Sequence, residues 1–165
     1  MPRVFVAAGS NIDPKVNLAR AVAELARRFG PLDVSPWYRN AAVGFEGEDF
    51  INLVFGFDTA LDVHETLRQL RAVETLCGRP RAAPKWAPRA MDLDVLLYDD
   101  LVLDDPELRL PRPDLLVRPY MLGPLAAIAA PLRHPTRGRT IGELWADFDA
   151  SAHHMQVVHP AARVA

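Results

Sequence analysis

The sequence predicts an α+β fold in which an antiparallel sheet carries two helices on one face. Three observations predict it. Short apolar runs with strand-like alternation recur at the start of the chain, in the fifties and in the nineties. Between them, two stretches space their apolar residues at helical intervals. The resulting order is strand, helix, strand, strand, helix, strand, the order that folds helices onto one side of an antiparallel sheet.

Taken in turn, "RVFVAAGSN" is an apolar run closed by Gly9 and reads as the first strand. In "DPKVNLARAVAELARRFG", Asp13 is placed to cap a helix with Pro14 at its first position. Leu18, Val22, Leu25 and Phe29 share one face, and Gly30 ends it. "LDVSPWY" reads as an edge strand weakened by Pro36. Residues 39–49 are a loop of small and acidic residues. "FINLVFGFD" is a strong strand, with Ile51, Leu53, Phe55 and Phe57 on one face and Phe50, Asn52, Val54 and Gly56 on the other. "DVHETLRQLRAVETLCG" is the second helix, with Asp62 and Glu65 spaced as a capping box. Residues 79–90 are a basic, proline-rich loop, and the fourth strand runs from Met91 to Tyr98. Residues 99–119 read as irregular. Short helices are expected from "YMLGPLAAIAAPL" and near Thr140, and the tail from Ala150 reads as peripheral. The pattern is the ferredoxin-like βαββαβ sandwich, with C-terminal additions on the other face and one domain over residues 1–165.

Composition narrows the function classes. Half of the 165 residues are apolar and the formal net charge is −2. That balance suggests no general attraction to nucleic acid or to acidic membranes. A single cysteine, Cys77, excludes an internal disulfide framework. No apolar run approaches the roughly 20 residues of a membrane span. The expectation is a cytoplasmic monomer without a nucleic-acid or membrane partner.

The chemistry concentrates in "KWAPRAMDLDVLLYDD". Residues two apart on a strand point the same way, so Asp92 and Asp94 stand together while Met91, Leu93, Val95 and Leu97 face the helices. Two carboxylates whose α-carbons lie roughly 6.5 Å apart need a compensating cation. Their hard oxygens suit magnesium, as two ions about 3.5–4 Å apart. Arg79, Arg81, Lys85 and Arg89 lie just upstream, and guanidinium forks bind phosphate oxygens. Carboxylates and a basic loop together make a metal-and-polyphosphate clamp. No Walker-type glycine loop is present. The bland alternative is a solvated strand face beside a solvated basic loop.

"KWAPRAMDLDVLL" resembles the signature of the 6-hydroxymethyl-7,8-dihydropterin pyrophosphokinase family, W-G/A-P-R-x-x-D-L-D followed by apolar residues. The likeness extends through "AAGSN", "FINLV", "ETLCGRPR" and "RPYMLGPLAAIAAPL", to about Leu132. It implies the ferredoxin-like fold and transfer of diphosphate from ATP to the hydroxymethyl group of the pterin, releasing AMP, in folate biosynthesis. Asp92 and Asp94 would hold two magnesium ions, with Arg79 and Arg89 neutralising the transferring group. Glu74, Arg81, Trp86, Arg89, Val95, Arg112 and Arg118 would lie on the ATP side. Asn40, Val43, Gly44, Phe50, Asn52 and Tyr120 would lie on the pterin side, with Asn52 reading the amide edge of the ring. The loops 39–49 and 79–90 would close over the substrates.

Each assignment has a duller rival: Asn52 bonding locally, Phe50 and Tyr120 as core, Glu74 as an exposed helix residue. His153, His154 and His159 read as surface tail. The chain also departs from the family pattern. Where the family commonly has P-H-P or P-H-Y it reads Pro111-Arg112-Pro113, and Asn40 stands where threonine is frequent. A competing reading is a non-catalytic nucleotide or RNA module on the same fold. Two acids on the sheet face and the missing RNP aromatics speak against it.

Overall fold

Residues Arg3–Ser10 form the central strand, β1, because seven successive side chains, Val4 to Ser10, are buried and must face cover on both sides. The computed structural model describes residues 1–40, 49–78, 91–148 and 155–159. After β1 come α1 (Pro14–Phe29), β2 (Asp33–Val34), β3 (Trp37–Asn40), β4 (Phe50–Asp58), α2 (Val63–Leu76) and β5 (Asp92–Tyr98). Then follow β6 (Leu103–Asp105), β7 (Leu108–Leu110), a 3₁₀ turn (Pro113–Leu116), α3 (Pro119–Ala129), α4 (Ile141–Ala146) and β8 (Gln156–Val158). The main sheet has the order β5-β1-β4-β3-β8, with β2 also on β4, and every pairing is antiparallel. This is the expected ferredoxin-like sheet extended by one strand.

One face of the sheet packs on α1 and α2. Val4, Val6, Leu18, Leu25, Ile51, Leu53, Phe55, Phe57, Leu70 and Val73 make its dry layer. Burying each Leu or Phe there contributes about 2 kcal/mol. The second face is covered only in part. Phe5, Ala7, Val54, Leu96 and Leu97 pack under Leu115, Met121, Leu122, Leu125 and Ile141 from the 3₁₀ turn, α3 and α4. The candidate site lies where this second cover stops.

Several local expectations change. Asp13 stands at the N-cap of α1, with Pro14 following. Its backbone is left-handed (φ 40°), however, and its side chain makes no cap bond. Asn17 stabilises this end instead, its Nδ2 donating to the Ile12 carbonyl at 2.6 Å. Asp62 does cap α2, its Oδ1 accepting from the Glu65 N–H at 2.8 Å. Thr140 and Glu143 form a full capping box on α4. The stretch around Pro36 is two strands, β2 and β3, because Ser35 breaks the run; its Oγ accepts from the Val54 N–H. β3 is not an edge, since β8 pairs with it. Residues 99–119 are more regular than expected and include the β6–β7 hairpin.

The main correction concerns Leu97. The β1–β5 register runs Ala7↔Asp94, Val6↔Val95, Phe5↔Leu97, so Leu96 is an extra residue on β5. This bulge resets the alternation. Leu96 and Leu97 both join the α3 side, and only Leu93 and Val95, with Met91, face α1 and α2.

Candidate active site

The paired strands place the chemistry in one row. Asp92 lies opposite Gly9, Gly9 opposite Asn52, and Asn52 opposite Tyr38. Directly opposed residues on antiparallel strands project to the same face. Asp92 and Asn52 therefore share a surface, separated by two strand spacings, roughly 10 Å between α-carbons. Asp94 stands in the next row, opposite Ala7. The small side chains of Gly9 and Ala7 leave a shallow floor between the acidic end and the amide end.

Gly9 is required there. A β-carbon at this position would stand 2.5 Å from the Asn52 Oδ1. Asn52 is 7% exposed, and its Nδ2 donates to the Asn40 Oδ1. That bond fixes which way the carboxamide points. Phe50, opposite Asn40, borders the same end and is half-buried. Tyr120, at the start of α3, is half-buried and lies within electrostatic reach of Asp92 and Asp94. Its hydroxyl pKa is raised first by burial; Arg118 opposes this and Asp114, Asp94 and Asp92 add to it. Arg118 is exposed at the N-terminus of α3.

At the acidic end, Asp94 is pushed up to about 6. Burial is the first cause and the neighbouring Asp92 the second; Arg112 and Arg71 pull the other way. The Asp94 side chain keeps 19% of its exposure, and Arg112 Nη2 lies 3.5 Å from its Oδ1. Charging both acids is therefore costly in the absence of a further cation. The two carboxylates offer hard oxygens only. Among the described residues no third His, Cys, Asp or Glu completes a metal cluster. That donor set fits magnesium, which keeps waters and borrows substrate oxygens, and does not fit a closed transition-metal cage.

The strand segment between the two acids is held from outside the sheet. β5 is an edge strand, and the Leu93 backbone turns outward to α2. Glu74 Oε2 accepts from the Leu93 N–H at 2.8 Å, and Arg71 Nη1 donates to the Leu93 carbonyl at 2.9 Å. Arg71 Nη1 and Glu74 Oε1 are themselves 2.7 Å apart. Two side chains one helical turn apart thus do the work of a neighbouring strand at the residue between Asp92 and Asp94. Further along, the Arg112 N–H donates to the carbonyl of the bulge residue Leu96 at 3.0 Å.

The structure brings together Asp92, Asp94, Arg112, Tyr120, Asn52, Asn40 and Phe50. Glu74 is not the exposed helix residue of the duller reading; it is 3% exposed and supports β5. Val95, expected on the ATP side, has its side chain buried in the α1–α2 layer, on the face opposite the aspartates, because it stands one residue from Asp94. Arg79, Arg81, Trp86, Arg89, Val43 and Gly44 lie outside the described residues. Arg71 and Gly9 were missed by sequence reasoning. The i, i+3 spacing of Arg71 and Glu74 was a readable signal; the demand on Gly9 arises only when three strands are laid side by side.

A family model described as 7,8-dihydro-6-hydroxymethylpterin-pyrophosphokinase (HPPK) matches residues 5–130. A relative from Synechocystis, named 2-amino-4-hydroxy-6-hydroxymethyldihydropteridine pyrophosphokinase, is 40% identical over 89% of this chain and 76% of its own. One of the same name from Pseudomonas aeruginosa is 37% identical over 87% of this chain and 90% of its own. Among solved structures, HPPK-DHPS from Plasmodium falciparum superposes with a TM-score of 0.68 at 13% identity. The match covers 88% of this chain but 41% of that one, so the chain spans less than half of that longer protein. This structural likeness carries the fold, and the sequence matches carry the kinship: the chain belongs to the 7,8-dihydro-6-hydroxymethylpterin-pyrophosphokinase family.

Proposed function

We propose that Asp92 and Asp94 form the metal and phosphate end, and Asn52 the pterin end, of the reaction that this chain catalyses. The chain transfers the terminal diphosphate of ATP to the hydroxymethyl oxygen of 6-hydroxymethyl-7,8-dihydropterin, giving the pterin diphosphate and AMP, in folate biosynthesis. The observation that carries the residue assignment is the row Asp92–Gly9–Asn52, which sets carboxylate and carboxamide on one sheet face.

Asp92 and Asp94 would hold two magnesium ions, which when bound supply positive charge to the phosphate oxygens and acidify the acceptor hydroxyl. The residues do the rest by positioning and electrostatics. Asn52 presents a donor and an acceptor to the amide edge of the ring, with its rotamer set by Asn40. Phe50 and Tyr120 supply apolar and aromatic surface to the ring. Arg112 and Arg118 meet phosphate oxygens. Arg79 and Arg89, with Arg81 and Trp86, complete the ATP side on the strength of the sequence motif, and Val43 and Gly44 the pterin side. Glu74 acts as a positioning residue through Leu93. Among the described residues no helix is long and apolar enough to cross a membrane. A monomer working in the cytoplasm, without nucleic acid, completes this reading.

The test is incubation with ATP, magnesium and the hydroxymethyl pterin. Stoichiometric AMP and pterin diphosphate are expected, with loss of turnover in Asp94→Ala. ADP as the product, or unchanged turnover in that variant, would overturn the assignment.

A further inference from the structure

Arg112 occupies a place where the metal-site carboxylates have a cation already. Its Nη2 lies 3.5 Å from Asp94 Oδ1 and 3.5 Å from Asp114 Oδ2. Neither approach is a close, bidentate fork, the geometry in which Arg and carboxylate bind strongly. The Arg112 Nε is buried and has no hydrogen-bond partner among the described residues. The backbone around it is fixed. Its N–H is tied to the Leu96 carbonyl, its carbonyl accepts from the Leu115 N–H at 3.1 Å, and prolines flank it on both sides. The charge is therefore held near Asp94 by the chain, while the guanidinium itself is left with unmet donor capacity.

We infer that Arg112 is a resident counter-cation of Asp94 that opposes metal binding to the empty enzyme and is drawn off by nucleotide phosphate, so that metal and nucleotide bind together. The inference rests on the reading of Asp92 and Asp94 as metal ligands. A divalent ion at Asp94 stands close to a fixed positive charge, and like charges at such a separation repel. Anionic phosphate relieves this in two ways: it gives Nε and the guanidinium their missing acceptors, and it screens the arginine from the metal. Coupling of this kind is reciprocal, so the nucleotide tightens the metal by the same factor as the metal tightens the nucleotide. An imidazole at this position, neutral above its pKa near 6.5, lacks that permanent opposition. The arginine thus makes this chain less prone to hold bare metal than a relative with histidine there.

The test measures manganese alone, without nucleotide, from the free-ion electron paramagnetic resonance signal at low ionic strength and pH 8. Arg112→Gln is expected to bind manganese at least threefold more tightly than wild type. Arg112→His, neutral at this pH, should behave likewise and serves as the second variant should the glutamine disturb folding. Arg112→Lys should restore wild-type affinity. Asp94→Asn should weaken binding in every background. Equal or weaker binding in both neutral variants, with Asp94→Asn still weakening it, overturns the role of Arg112 and spares the metal site. Binding indifferent to Asp94→Asn overturns the metal reading itself. No detectable binding to wild type or to either neutral variant overturns both.

Discussion

Gly9 lies directly opposite Asn52 across β1 and β4, with no room between them for a methyl group. The same glycine is opposite Asp92 on its other side. Gly9→Ala would drive a β-carbon into the Asn52 carboxamide. Overpacking of this kind costs about 1–3 kcal/mol, unless Asn52 moves aside. In either case the amide leaves its position. Pterin affinity, measured by calorimetry, is expected to fall at least about tenfold, following the cost of a lost buried hydrogen-bond pair. Unchanged pterin affinity would show that Asn52 does not read the ring.

Asp94 gives a prediction with a definite pH sign. Its folded pKa of about 6 lies above the ordinary value of 3.8. Between these values the folded chain holds a proton that the unfolded chain has released. Stability therefore falls as pH rises through this window, and the whole penalty is present above pH 6. Asp94→Asn removes the penalty. Without divalent metal, the variant should be more stable than wild type by about 3 kcal/mol at pH 7.5, with the difference vanishing near pH 4. Turnover should drop by three orders of magnitude or more, roughly the scale of removing a preorganised charge. Denaturant melts at the two pH values check the first part. A variant less stable than wild type at pH 7.5 would contradict it.

Glu74 and Arg71 make the outer edge of β5 behave as if another strand were there. Glu74→Ala strips the Leu93 N–H of its buried acceptor, a cost of about 1–3 kcal/mol. It also leaves Arg71 without its ion pair. The Leu93 amide is expected to exchange with solvent far faster, as seen by native-state hydrogen exchange. Turnover should suffer more than pterin affinity, because Leu93 separates the two aspartates and is remote from Asn52. Glu74→Gln, which retains one acceptor, should recover part of both losses. Equal effects on turnover and pterin binding would argue for general loosening.

β8 covers the free edge of β3, register Tyr38↔Val157. Removing residues 150–165 would bare the edge of β3 at Trp37, Tyr38 and Arg39, and exposed strand edges recruit other strands. Light scattering should report concentration-dependent association of the shortened chain. A shortened chain that stays monodisperse would show that β8 is not needed as edge cover.

Much of this arrangement was legible from residue order. Alternation placed Asn52 and Phe50 on one face of β4, and Asp92 and Asp94 on one face of β5, because a strand has period two and both runs are long. The Asp13 cap misled because position alone cannot show a left-handed backbone. Leu97 was assigned to the wrong face because a bulge is decided by pairing, and β1 supplies one residue where β5 supplies two. The β6–β7 hairpin left a fainter trace: Leu108 and Leu110 alternate after the Asp-Pro-Glu turn. β8 left almost none, as three residues gain their strand character from β3. The Leu93 clamp needed the packed helix, since Glu74 has the same spacing whether it faces water or β5.

The irregularity at Leu96 makes β5 a strand with two allegiances. Its first half keeps strict in-and-out order, and that order is what turns the two acids to one face of the sheet, away from α1 and α2. Its second half gives two consecutive leucines to the layer beneath α3. A single-residue deletion at position 96 would leave Asp94, Val95 and Leu97 on their present faces, since these already pair in step with Ala7, Val6 and Phe5; what it removes is one of the two leucines under α3 and the carbonyl that anchors the Arg112 N–H. A feature that looks like a fault in the ladder thus lets wet chemistry and dry packing share seven residues.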